Sequence, residues 1–483
     1  MSQTSPAADQ QPQKQHRESL YASRAKAYPR FLNSGLFRRL KWLASVLTLA
    51  VFWIGPWLRW DRGLGAPHQA IFIDLPGRRA YFFFIEIWPQ EVYYLTGLLI
   101  IAALFLFFMS AMLGRVWCGF ACWQTVFTDL FVWIERLFQG ERNARMQLDR
   151  APMSVSKLLR KTATFASWAV IAMAFGFGFT LYFDNAPTLV HNFFTGQAGL
   201  MQYVTMGVLS FFCFLLAGFA RENVCIYMCP YARFQAAMFD EHSMIVSYEA
   251  WRGEPRGVVR GGIQGRDPKE VFQDRGHCVD CKMCIQACPT GIDIRDGLQY
   301  ECIGCAACID GCNQVMARMG YPKGLIRYTT ENALQQNLTP RQIVVRALRP
   351  RVMIYTAILC AIVFAIGISL YTREPLKVDV IRDRASLSRD VDGRWVENVY
   401  QLQIMNTQEV PHRFIIHASG AETLQVADTQ AVEIPGASTR MVPVRLRIEK
   451  GRLPVGSHKI EFEVTAADNS AIVARERSIF LVR

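Results

Sequence analysis

Cys278-Val-Asp-Cys281-Lys-Met-Cys284-Ile-Gln-Ala-Cys288-Pro289, followed by Cys302-Ile-Gly-Cys305-Ala-Ala-Cys308-Ile-Asp-Gly-Cys312, sets eight thiols at the C-x-x-C-x-x-C-x-x-x-C spacing of bacterial ferredoxins. Three cysteines on a tight loop hold three corners of a cubane. The fourth, displaced along the chain, reaches the other cluster in two-cluster ferredoxins. On that crossing rule Cys278, Cys281, Cys284 and Cys312 hold one 4Fe-4S cluster, and Cys302, Cys305, Cys308 and Cys288 hold the other. Disulfides belong to oxidising compartments, and structural zinc pairs separate C-x-x-C knuckles, so neither accounts for four cysteines run this closely. The second run departs from the first at Asn313, where the first has Pro289. Proline there shapes a turn and does not ligate iron. The chemistry expected is transfer of single electrons.

Composition places that chemistry at a membrane. The chain is 51% hydrophobic yet carries a formal net charge of +13, which suits a membrane protein with basic faces better than a soluble enzyme. Apolar stretches near Trp42–Leu58, Val92–Leu113, Ala163–Phe183 and Met353–Tyr371 have the roughly 20-residue length of a spanning helix. A shorter, uncharged fifth runs from Tyr203 to Ala220. The first is preceded by a polar lead rich in Gln, Ser and Ala and has no small-residue cleavage site, so it reads as an anchor behind a disordered leader at 1–38. The division expected is a membrane domain at 39–240, a ferredoxin domain at 241–350, a last spanning helix at 351–373 and an outer domain at 374–483.

Lys and Arg near helix ends set the orientation. Arg38, Arg39 and Lys41 precede the first span, and Arg142, Arg145, Arg150, Lys157, Arg160 and Lys161 separate the second and third. The 184–199 connection has no Lys or Arg at all. The positive-inside rule then puts the N-terminus, the middle loop and the cysteine-run domain in the cytoplasm of a bacterial inner membrane, and everything after Tyr371 in the periplasm. Arg59, Arg62, Arg78 and Arg79, in the first outer loop, run against that count. All the cysteines precede Thr372, in keeping with an oxidising compartment beyond it.

The outer domain alternates apolar and polar residues in short runs, at 399–404, 413–417, 441–448, 459–464 and 478–482, separated by Pro, Gly, Asn and Asp. Such spacing predicts an immunoglobulin-like β-sandwich. His412, His417 and His458 are scattered through it and read as solvated or packing residues.

A second set of cysteines sits where membrane meets cytoplasm. Arg115-Val-Trp-Cys118-Gly-Phe-Ala-Cys122 follows the second span, and Glu222-Asn-Val-Cys225-Ile-Tyr-Met-Cys229-Pro230 follows the fourth, both as C-x-x-x-C. Helical residues i and i+4 share a face, so each pair can present two thiols to one soft ion. The two pairs are displaced by the same interval, as in a tandem repeat of two helices and a cysteine tail. The 123–138 and 231–239 stretches that follow are aromatic with interspersed charge (Asp129, Glu135, Arg136; Arg233, Asp240), as in interfacial helices. Cys213 and Cys360, alone in apolar spans, read as packing residues, and His68 and His191 as solvated loop histidines. The glycines from 253 to 265 match no nucleotide-binding loop and read as a flexible basic linker, whose Arg252, Arg256, Arg260 and Arg266 would meet anionic lipid. Basic residues cluster at helix ends, as topology demands, so the net charge does not call for nucleic acid.

Taken in order, the paired hairpins ending in Cys118-Gly-Phe-Ala-Cys122 and Cys225-Ile-Tyr-Met-Cys229-Pro230, the dicluster module, the last helix and the cysteine-free β-domain resemble the FixG/RdxA/CcoG family, accessory proteins for assembly of cbb3-type cytochrome c oxidase. The resemblance implies a membrane-bound electron carrier, a cupric reductase that turns Cu(II) into Cu(I) for the oxidase and binds copper transiently at Cys118, Cys122, Cys225 and Cys229. It also implies oxidase assembly factors or copper chaperones and transporters as partners. Thiolates favour Cu(I), and a neighbouring low-potential cluster supplies one electron. Two other readings stay open: a quinol-linked relay whose membrane cysteines are structural or hold a further centre, and a redox-sensing assembly scaffold. No flavin or nicotinamide fingerprint names the electron donor.

Overall fold

The computed structural model describes residues 27–32, 34–62, 66–257, 276–336, 342, 349–382, 388–408, 410–420, 424–427, 431–436 and 438–482. Most of the expected leader (1–26) and most of the glycine-rich linker (258–275, with Arg260 and Arg266) lie outside the described residues.

Among the described residues, five helices are long and apolar enough to span a bilayer: α1 (Leu36–Ile54, extended by a 3-10 turn to Trp57), α2 (Val92–Leu113), α6 (Val155–Thr180), α8 (Leu200–Cys213, continued by a π-helix to Ala220) and α14 (Pro350–Tyr371). Within the most apolar stretch of α14 only 6% of residues are buried by the rest of the chain, as lipid-facing helices require. Tyr94 of α2 bonds Ser369 of α14, and the α6–α8 pair encloses Trp168, stacked at 5.2 Å on Phe131.

Between spans lie the short α3 (Val116–Phe120), α4 (Trp123–Gln139), α5 (Arg142–Arg150), α7 (Ala186–Phe194) and α9 (Pro230–Met238). The 123–138 stretch forms α4, which packs Phe127, Phe131 and Ile134 into the core that holds Trp168 and leaves Trp133 and Leu137 exposed. Its carboxylates are paired, the partly buried Asp129 with Arg38 and Lys41 and the buried Glu135 with Arg145 and Arg221.

One end of the bundle carries a small β-lobe. Strands β1 (Ile71–Asp74), β2 (Arg79–Phe82) and β3 (Ile85–Ile87) form a meander, joined to the α6–α7 turn through Gln69, which donates to Leu181 O at 2.8 Å and accepts from Ala186 N at 3.1 Å. Two arginines of this loop have structural partners here: Arg62 is spent on the carbonyls of Pro67, Gln69, Ala70 and Phe83, and Arg79 pairs with Glu86.

At the opposite end the ferredoxin module packs under α1 and α3. It contains β4 (Ile245–Tyr248) paired with β5 (Ile326–Thr329), α10 (Ala250–Gly253), α11 (Met283–Ala287), α12 (Ala307–Arg318) and α13 (Glu331–Gln336). The module is tied to α1 by Asp310 of α12, whose carboxylate accepts from the Arg38 amide at 2.8 Å and the Phe37 amide at 3.4 Å. Gly35, at the N-cap of α1, has no side chain to do this, so the module supplies the cap. Residues 27–32, assigned by the sequence to the disordered leader, pack here too: Arg30 N donates to Gln286 O, and Tyr28 donates to Asp149. Arg252 and Arg256 also bond within the module, to His277 and to Glu254.

The C-terminal domain is the expected sandwich. Sheet β10-β12-β8-β6, with β7 added on β8, faces sheet β11-β9-β13-β14. Strands β6 (Leu376–Arg382), β7 (Arg389–Val391), β8 (Trp395–Asn406), β9 (His412–Ser419), β10 (Gln425–Val426), β11 (Val432–Ile434), β12 (Ser438–Glu449), β13 (Gly456–Ala466) and β14 (Val473–Val482) alternate their burial as a half-buried sheet must. Tyr400, Leu402, Phe414, Phe462 and Phe480 fill the space between the sheets. Arg373 and Lys377 fix the domain to the bundle by pairing with the buried Glu91.

Candidate functional site

Each cysteine of the first run has its counterpart in the second at one constant interval, and the backbones repeat as well. Asp280 and Gly304, and again Lys282 and Ala306, hold equivalent places, and all four have positive φ, between 50° and 67°. These left-handed turns curl each loop around its three cysteines, and Lys282 and Ala306 become the N-caps of α11 and α12.

The helices then deliver the fourth thiol across the module. Cys312 lies within electrostatic reach of Cys278, Cys281 and Cys284, while Cys288 lies within reach of Cys302, Cys305 and Cys308. Burial pushes the Cys302 and Cys312 thiols up to about 12 and Cys284 to about 11. A metal ion must therefore displace their protons to bind. Among the described residues, no three His, Cys, Asp or Glu side chains close on a single ion. Two wide all-thiol frames on left-handed loops fit a 4Fe-4S cube, which spreads its ligands over separate irons.

Four of the remaining six cysteines converge just beyond the ends of α2 and the α8 span. Cys118 is in α3, but the helix ends before its partner: Cys122 is extended (φ −63°, ψ 130°) and caps α4. In the second pair Cys225 lies in a π-helical turn, Val224–Met228, and Cys229 (φ −77°, ψ 111°) caps α9. Each capping cysteine donates its amide to the carbonyl five residues back, Cys122 to Trp117 at 3.0 Å and Cys229 to Val224 at 2.8 Å. A simple shared helix face is thus replaced by a tight turn in both places. The repeat extends upstream: Gly114 (φ 60°, ψ −123°) and Arg221 (φ 47°, ψ −124°), which stand the same number of residues before Cys118 and Cys225, break their spans with one conformation.

All pairs among Cys118, Cys122, Cys225 and Cys229 fall within electrostatic reach. Burial, reinforced by neighbouring thiols, pushes Cys118 and Cys225 up to about 12. An open groove adjoins Cys225, bordered also by Lys41, Asp129, Glu222, Pro289 and Cys305. Burial also raises Glu222, offset by its own backbone amide and by Arg221 and Lys41.

Sequence reasoning assigned no role to Arg115, Gly119, Arg221, Glu222 or Asp310. A glycine inside the first C-x-x-x-C and arginines just outside two spans were the available signals. Cys213 packs against the Trp168 core, and Cys360 is exposed on α14. His412 is held by Asp468 and Gln408, and His458 bonds Pro454 O, as structural residues do.

Comparisons with known proteins follow this layout. Residues 220–331 match a 4Fe-4S dicluster domain, residues 95–140 a 4Fe-4S binding domain, and residues 366–483 the IG-like fold at the C-terminus of FixG. The chain is 40% identical to protein RdxB of Cereibacter sphaeroides over 94% of its length and 95% of the relative's. Nitrogen fixation protein FixG of Rhizobium meliloti is 38% identical, covering 96% and 93%. Protein RdxA of Cereibacter sphaeroides is also 38% identical, covering 89% and 90%. With this similarity running through the spans, both thiol frames and the C-terminal sandwich, the chain belongs to the FixG/RdxA/RdxB family of membrane-associated iron-sulfur electron-transfer proteins.

Proposed function

We propose that the protein is a cupric reductase that supplies Cu(I) for assembly of a cbb3-type cytochrome c oxidase, working in the bacterial inner membrane with its ferredoxin module in the cytoplasm and its sandwich in the periplasm. The observation that carries the reading is the convergence of Cys118, Cys122, Cys225 and Cys229 beside the loop that bears Cys302 and Cys305. The eight module cysteines hold two 4Fe-4S clusters, which when bound take up and release electrons singly. Cu(II), as substrate, meets soft thiols that prefer its reduced form, and gains one electron to become Cu(I). Copper chaperones, transporters or oxidase assembly factors would carry Cu(I) onward, and an external one-electron carrier or a quinol is the reductant.

The test is the double variant Cys225→Ser, Cys229→Ser, purified with its clusters. The expected result is normal iron content with Cu(II) reduction abolished or sharply slowed. Reduction at the wild-type rate would remove the thiols from the reaction.

One observation favours a second reading. The 95–140 segment matches a 4Fe-4S binding domain yet contains only Cys118 and Cys122 as cysteines, and no three of the edge thiols close on one ion. Completed by Cys225 and Cys229, this frame would hold a further iron-sulfur centre in a relay drawing on quinol. Iron in excess of the two module clusters, lost in the same double variant, would favour it over copper.

A further inference from the structure

We infer that the module meets the membrane-edge thiols through its second quartet, Cys288, Cys302, Cys305 and Cys308, and that Arg115 and Gly119 are the positioning residues that fix this contact. The inference rests on the proposed function only for where the electron goes next. Arg115, at the N-cap of α3, donates to the carbonyls of Tyr300 and Cys302 in the second loop and, at 3.2 Å, to Ala232 in α9. One guanidinium thus clamps the second loop, the Cys118 turn and the helix that Cys229 caps.

Gly119 completes the contact by having no side chain. A Cβ there would stand 2.8 Å from Gly304 O and 2.9 Å from the Cys305 backbone, closer than such atoms approach. Gly304 in turn lies against Arg115, with its own virtual Cβ 3.1 Å from the Arg115 Cβ, and Tyr328 donates to the Gly304 carbonyl. The residue between Cys118 and the rest of its turn is therefore in direct backbone contact with a cluster loop.

The first quartet's side meets the rest of the chain elsewhere, at α1 and residues 27–32, through Asp310 and Gln286. The charges that act on Cys302 and Cys305 include Arg115, Lys41 and Asp129 from the membrane domain. Cys281 is exposed, and Arg295 beside Cys278 is held by Asp280 and Asp293. Electrons therefore leave from the second quartet's side. Cu(II) accepts one electron to become Cu(I), and the loss is made good by an external one-electron carrier, for which dithionite stands in below.

The experiment uses the full-length protein in detergent, loaded with clusters and reduced with dithionite. Cys284→Ser and Cys308→Ser assign the electron paramagnetic resonance signals to the second and first quartets respectively. Gly119→Ala is expected to shift only the signal that survives in Cys284→Ser. Arg115→Lys, which keeps the charge but loses the fork, should shift the same signal, and serves if Gly119→Ala does not accumulate. On mixing with Cu(II), the Cys284→Ser protein should keep its rapid first-turnover oxidation, and the Cys308→Ser protein should be slowed at least ten-fold. Changes confined to the first quartet's signal, or absent from both, would overturn the assignment. If the spectra shift as expected but Cu(II) oxidises neither cluster, the contact stands and the copper reading fails.

Discussion

Replacing Glu135 by Gln should destabilise the membrane domain and disturb the second thiol pair. The carboxylate accepts from Arg145 at 3.0 Å and from Arg221 at 2.5 Å, and the Glu135, Arg145 and Arg221 side chains are only 6%, 2% and 10% exposed. Breaking a buried ion pair from one side costs about 3–5 kcal/mol, because the remaining charge stays desolvated. Here two guanidinium groups are left. The Gln oxygen can still accept from one of them, which puts Glu135→Gln near the lower bound, about 3 kcal/mol. For a folded unit of this size each kcal/mol moves the midpoint by about 2–4 °C, so the melting temperature should fall by about 6–12 °C.

The change should also reach Cys225. Arg221 has φ 47°, a conformation costly for a side chain with a Cβ, and its side chain holds it by donating to Gly218 O at 2.8 Å and to Glu135. Arg221→Gly relieves that strain and removes one of the stranded charges. In the Glu135→Gln background it should therefore cost less than alone, with a coupling of at least about 1 kcal/mol. Thermal unfolding of the four proteins of this cycle, in one detergent and at one cluster content, measures both quantities. A Glu135→Gln midpoint within about 2 °C of wild type, or strict additivity, would refute the reasoning.

Glu86 gives a pH signature. Burial raises its carboxyl from 4.5 to about 7 against the pull of Arg79 and Arg373. The folded state then holds the proton more tightly than the unfolded one, so this contribution, about 3 kcal/mol, is full below about pH 4.5 and lost as pH rises through about 7. The β-lobe should melt lower at pH 8 than at pH 5, and Glu86→Gln should flatten that profile. Cys284→Ser should strip one cluster and leave much of the other, seen as iron falling from about eight atoms toward four. Asp310→Ala removes the cap that the module lends to α1 and should cost about 1–2 kcal/mol, with faster proteolysis at residues 27–35 as the readout. A reporter active only in the periplasm should work when fused after Tyr371 and fail at Arg145 or Arg260.

The parts of this protein that could be read from the sequence are those whose physics is local. A cluster loop must bring its thiols together within a few residues, so the spacing from Cys278 to Cys288 announces it. A span must hide its backbone within one segment, so the uninterrupted apolar run at 92–113 announces α2. The sandwich strands alternate because each has one face in the core. Asp129 and Glu135 had no comparable signature, since an amphipathic helix has the same period whether its polar face meets headgroups or counter-charges from elsewhere. Their partners are Arg38 and Lys41 in α1, Arg145 in α5 and Arg221 beyond α8. Asp310, too, looks like one more polar residue of a cluster helix until the amides of α1 arrive.

The tandem repeat shows why the thiols could be seen and their setting could not. The proposed metal site would constrain residue type, and cysteine does recur at Cys118 and Cys225, and again at Cys122 and Cys229. The break before each pair constrains only the backbone, and two different residues satisfy it. Gly114 does so through its freedom at φ 60°, whereas Arg221 adopts nearly the same angles and is held there by Gly218 and Glu135. The second solution spends a tertiary network on what the first obtains from a missing Cβ. It follows that the Cys225 turn depends on the integrity of a distant carboxylate and the Cys118 turn does not. A defect at Glu135 should therefore separate two thiol pairs that the sequence presents as equivalent.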